Sequence, residues 1–102
     1  MGWTDINAGD YGWIGKLRIV EDGGPVDLTA FTTRQMIFRT PDGATLTKTA
    51  SFDTNGVDGV LRYEVLTGDI ATPGRWLVQA RVSRTGAQIT TEAHAFDVAE
   101  RL

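Results

Sequence analysis

The run Arg75-Trp76-Leu77-Val78-Gln79-Ala80-Arg81-Val82 decides the fold class. Trp76, Val78, Ala80 and Val82 fall on one side of a period of two, with Leu77, Gln79 and Arg81 on the other. That alternation belongs to a strand with one buried face. Pro73-Gly74 before it and Arg84-Thr85-Gly86-Ala87 after it are turn sequences, because Pro presets φ and Gly accepts the positive φ of a tight reversal. Residues 88–98 then return as a last strand, with His94, Phe96 and Val98 on one face.

The same grammar repeats toward the N-terminus. Val60 to Leu66 places Leu61, Tyr63 and Val65 together, and 44–52 alternates Leu46, Lys48, Ala50 and Phe52 with Thr and Ser. Between them Asp53-Thr54-Asn55-Gly56-Val57-Asp58-Gly59 supplies Asn-Gly and Asp-Gly turn pairs. Pro41-Asp42-Gly43 predicts a hairpin back to a strand over 33–40, with Met36 and Phe38 on its inner face. Val26 and Leu28 form a short run, and Glu21-Asp22-Gly23-Gly24-Pro25 stops a strand over 12–20 whose Trp13, Gly15, Leu17 and Ile19 share a face. Thr67 to Ile70 has the composition of a single helical turn. Short strands about ten residues apart, with no amphipathic helix, predict an all-β protein: an antiparallel β-sandwich of immunoglobulin-like type with about seven strands. A single domain over 13–102 follows a polar, aperiodic N-terminal arm, 1–12, which carries Trp3 and Tyr11.

The chain has 102 residues, 41% hydrophobic and 23% charged, with a formal net charge of −3, the usage of one globular domain. Scattered Lys and Arg in an acidic chain speak against a nucleic-acid partner, which needs clustered cations on phosphate. The absence of Cys excludes a disulfide and thiolate chemistry. No apolar run approaches the roughly 20 residues of a membrane span, and the first residues lack the basic and apolar regions of a signal peptide. The chain therefore reads as soluble and unprocessed, with no membrane partner.

The order Gly24-Pro25-Val26-Asp27-Leu28-Thr29, Met36-Ile37-Phe38-Arg39, Pro41-Asp42-Gly43, Gly59-Val60-Leu61-Arg62-Tyr63 and Pro73-Gly74-Arg75-Trp76-Leu77-Val78-Gln79-Ala80 resembles the immunoglobulin-like N-terminal domain of phage baseplate upper proteins and related virion modules. The resemblance runs from about Lys16 to Val98 and rests on turn residues and core positions. It implies a structural protein of a tailed-bacteriophage virion, made in the host cytoplasm and held in a multi-copy symmetric assembly by other virion proteins of the tail, baseplate or capsid. In that family further domains carry the receptor-binding machinery; this chain ends at Leu102, so the docking module alone is expected. Two alternatives stay open: a capsid decoration protein of the same fold, and a carbohydrate-binding module using Trp3, Tyr11 and Tyr63 as stacking rings.

No catalytic constellation emerges, and no enzyme, cofactor or metal is expected. His94 is the single histidine, and on a strand Glu92 shares its face while Asp97 points to the other, which does not converge on a metal or a triad. The 53–64 segment places Glu64 twelfth from Asp53, as in a calcium loop, but Asp58 stands where the loop needs Gly and a strand follows where a helix should. Turn chemistry accounts for it better. Partner contacts are expected at Trp3 and Tyr11 on the arm and at Ile14, Ile37 and Leu77, apolar residues on outward strand faces, with Arg39, Arg62, Arg75 and Arg81 as a rim. Trp13, in phase with Leu17 and Ile19, is expected in the core, and the arm has the alternative of folding back over an open sheet edge.

Overall fold

In the computed structural model, which describes residues 3–101, the alternating run around Trp76 becomes the longest strand and the centre of the largest sheet. Eleven strand segments follow one another: β1 (Ile6–Asn7), β2 (Ile14–Arg18), β3 (Val20–Glu21), β4 (Gly24–Pro25), β5 (Thr33–Arg39), β6 (Thr45–Thr49), β7 (Ser51–Phe52), β8 (Val60–Glu64), β9 (Gly74–Arg84), β10 (Ala87–Thr90) and β11 (His94–Ala99). Seven of them have four residues or more, and no helix occurs among the described residues. A six-stranded sheet runs β1-β11-β9-β5-β6 with β10 also on β9; β2-β8-β7 makes a three-stranded sheet, and β3-β4 a two-stranded ribbon.

The two larger sheets share one core. Met36 and Phe38 of β5, Trp76, Val78, Ala80 and Val82 of β9, and Phe96 and Val98 of β11 are buried beside Leu61 and Tyr63 of β8, Trp13 and Ile19. Phe38 meets Tyr63 across the sheets at 5.9 Å between ring centroids, and Trp76 stacks on Phe96 at 6.1 Å. Burying such side chains contributes about 1.5–3 kcal/mol each. At one margin Arg34 of β5 closes the gap between sheets, its guanidinium 4.5 Å over the Phe52 ring of β7. Nearby, Asp69 accepts hydrogen bonds from the Tyr63 hydroxyl and the Leu66 N–H and pairs with Lys48 of β6 at 3.1 Å, tying both sheets to one turn.

Several expectations are corrected. The fold is not purely antiparallel: β1 pairs in parallel with β11, Ile6 opposite Val98, because the arm buries Ile6 in the core and stitches Ala8 N–H to Ala99 O at 2.8 Å and Gly12 N–H to Val65 O at 2.7 Å. The arm thus covers the sheet edge. The last strand is broken. Thr90 faces Arg81 but His94 faces Val78, so three residues oppose two, a β-bulge. The Thr91 hydroxyl accepts from Ala80 N–H at 2.9 Å and fills the gap in the ladder. Residues 26–28 are not a strand, since Leu28 instead buries its side chain and donates to Gly56 O. Residues 67–70 form a hydrogen-bonded turn rather than a helical one, with the Asp69 carboxylate on Leu66 N–H competing for the backbone.

Candidate docking surface

Period two gives β5 and β9 a second face, and the cross-strand register shows what it carries. Arg39 lies opposite Leu77, Ile37 opposite Gln79, and Gln35 opposite Arg81. On the flanks Thr45 and Thr47 of β6 face Arg39 and Ile37, while Ala95 and Asp97 of β11 face Leu77 and Arg75. Ile37 and Leu77 are half-buried neighbours at the centre, in a shallow concavity of about 320 Å³ shared with Arg39, Thr45, Gln79 and Arg81. Three arginines thus stand against one carboxylate, in a chain of net charge −3.

None of these three guanidinium groups forms an ion pair among the described residues. The ion pairs among the described residues are Lys16–Asp53, Lys48–Asp69 and Arg101–Asp10, all on other parts of the surface. Arg81 also has its Nε shielded from solvent without a hydrogen-bond partner. A shielded, unpaired donor beside two apolar side chains suits a partner that brings a carboxylate, since charge-assisted bonds to Arg are the strong ones.

The other expected contact residues separate. Ile14 sits on β2 opposite Glu64, in the other sheet from Ile37 and Leu77, and Arg62 is on β8. Tyr11 is 64% exposed. Trp3, expected to reach another subunit, lies in its own fold: its ring is 5.1 Å from Phe96 and 5.6 Å from Trp13, and its Nε1 donates to Lys16 O at 2.9 Å. Gly15 makes this seat, because a Cβ there would stand 2.3 Å from the indole. Tyr63 is buried and Trp3 is half-buried in its seat, so of the rings proposed for stacking on sugar Tyr11 is the one that lies open.

His94 is exposed at the start of β11, with the Trp3 ring 6.5 Å away. In the 53–59 loop Asn55 accepts from Val57 N–H, Asp58 from Thr54 and Val60 N–H, and Asp53 pairs with Lys16, so the side-chain oxygens serve the turn. No group of three or more His, Asp or Glu side chains among the described residues is placed to hold a metal ion. Two features escaped the sequence reading. One is the Tyr63–Asp69–Lys48 cluster, whose members lie on separate elements with no local signal. The other is the exposed Val20 beside Glu21-Asp22, where an apolar residue inside a polar turn was the available sign.

Among known protein families, the model of the BppU N-terminal domain matches residues 16–102. No curated protein matches the chain. Because that match spans well over half of the sequence, the chain belongs to the family of the N-terminal domain of the phage baseplate upper protein, a structural domain of the virion.

Proposed function

We propose that this member of the baseplate upper protein family is a non-enzymatic assembly module, an immunoglobulin-like sandwich that docks to neighbouring virion proteins in multiple copies. The observation that carries the reading is the outer face of the six-stranded sheet, where Ile37 and Leu77 are flanked by Arg39, Arg75 and Arg81 with no ion pair among the described residues. A half-exposed apolar centre with a charged rim is the anatomy of a protein contact. Family membership supports a position in the tail over one on the head surface.

Quantitative mass spectrometry of purified particles is the test. Several copies per particle are expected, falling to background when Ile37→Asp and Leu77→Asp are introduced together in the phage genome while the isolated variant keeps its circular dichroism spectrum. Absence of the wild-type chain from particles would overturn the reading.

A further inference from the structure

The outer sheet face has a chemical complement on the same chain. The ribbon β3-β4 turns through Asp22 and Gly23, both at positive φ, 51° and 78°, the geometry of a tight hairpin whose twist matches its strands. It is held to the 53–59 loop through Ile19 N–H on Gly59 O and, from the segment that follows the ribbon, Leu28 N–H on Gly56 O, each at 2.8 Å. The resulting tip carries the carboxylates of Glu21, Asp22, Asp27 and Asp58, none in an ion pair with a cation among the described residues. Asp27 and Asp58 are occupied by local hydrogen bonds, Asp27 from Thr29 and Asp58 from Thr54 and Val60 N–H. Among them stand two of the most exposed apolar side chains of the protein, Val20 at 50% and Val57 at 52%. The basic side chain on the adjoining end of β2 is Arg18.

We propose that the acidic tip of one copy seats on the outer sheet face of a second copy. Val20 covers the apolar centre at Ile37 and Leu77, and Glu21 and Asp22 bring their carboxylates to Arg39 and Arg81. The proposal rests on the docking role of that face and names its occupant. Charge and apolarity agree: an unneutralised cationic face with two apolar residues meets an unneutralised anionic tip with two. The contact joins two different patches, so it is heterologous and generates a ring or an open chain of copies rather than a closed dimer. Opposite charges on the two patches also set orientation, since face on face or tip on tip brings like charges together.

Sedimentation of the full chain across a concentration series at low salt tests this. Association is expected, reversing to monomer at about 1 M salt, where the screening length is roughly 3 Å. Arg39→Glu with Arg81→Glu, and separately Glu21→Lys with Asp22→Lys, should each be monomeric with an unchanged circular dichroism spectrum. Mixed in equal amounts they should associate again, because each retains one native patch and the reversed patches also match. A wild-type chain still monomeric at about 1 mM, the weak end of specific affinity, overturns the proposal. So does association that survives either reversal, or a mixture that stays monomeric. A chain found in particles but monomeric in solution removes this inference and leaves the baseplate reading; one that associates but is missing from particles does the reverse.

Discussion

The two faces of β5 and β9 share one backbone and have opposite chemistry. On the inner face Met36, Phe38, Trp76, Val78, Ala80 and Val82 are each at most 1% exposed. On the outer face Gln35, Ile37, Leu77, Gln79 and Arg81 are half-covered and Arg39 and Arg75 lie open. The comparison teaches where stability and recognition are kept apart. Every second residue holds the sheets together, and the residues between them are free to be chosen for a partner, because a strand sends neighbours to opposite sides.

The inner face can be broken most severely at Trp76. Its ring stacks on Phe96 and its Nε1 donates to Thr72 O at 2.9 Å, so Trp76→Ala removes packing and orphans a carbonyl. A loss of about 3–5 kcal/mol is expected in urea unfolding, enough to unfold a marginal domain. A loss below about 1 kcal/mol, the range of a surface change, would show that the inner face is not where stability resides.

That division is legible in the amino-acid sequence, and its limits have physical causes. The period of two in 75–82 and in 33–40 assigned Trp76, Val78, Met36 and Phe38 to the core and Ile37 and Leu77 to the outside, because alternation is local. Grouping Ile14 with them failed because strand order is not local: β2 entered the other sheet. Trp3 was placed outside for a related reason. Its seat depends on Gly15 lacking a side chain, and a missing Cβ gives no sequence signal that an indole will use the space. The break at Thr91 was invisible because a bulge changes register without changing composition.

Between the two faces in size of effect lies the polar tie at the sheet margin. The Asp69 side chain is 9% exposed. Burial alone would raise its carboxyl, but hydrogen bonds from Tyr63 and Leu66 and the nearby Lys48 charge outweigh it and hold the pKa below the usual 3.8. Burial first, and then the Asp69 hydrogen bond and charge, push the Tyr63 phenol above its ordinary 10.0. The Asp69 contribution is therefore present above about pH 4 and lost as acid protonates the folded carboxylate; the Tyr63 contribution is present below about pH 10 and lost above it. Asp69→Asn should cost about 1–3 kcal/mol at neutral pH and flatten the stability profile at its acid end, while burial keeps most of the Tyr63 effect at the alkaline end. An unchanged profile would mean that the tie is ornamental and that apolar packing alone joins the sheets.

The smallest effect on stability is expected where the effect on assembly is expected to be total. Leu77 has Arg39 and Ala95 as its cross-strand neighbours, and its half-covered side chain lies on the opposite face of the sheet from the core residues Trp76 and Val78. Leu77→Ser should shift unfolding by no more than about 0.5 kcal/mol, the range for surface positions. The same change removes an apolar group from the centre of the proposed contact, where a few residues carry most of the binding energy, so sedimentation should show the proposed association lost. Trp76→Ala and Leu77→Ser alter adjacent residues of one strand. Unfolding of the first and dispersal of the second would demonstrate that the strand separates the two tasks residue by residue, whereas a Leu77→Ser protein that is unstable would return the outer face to the core.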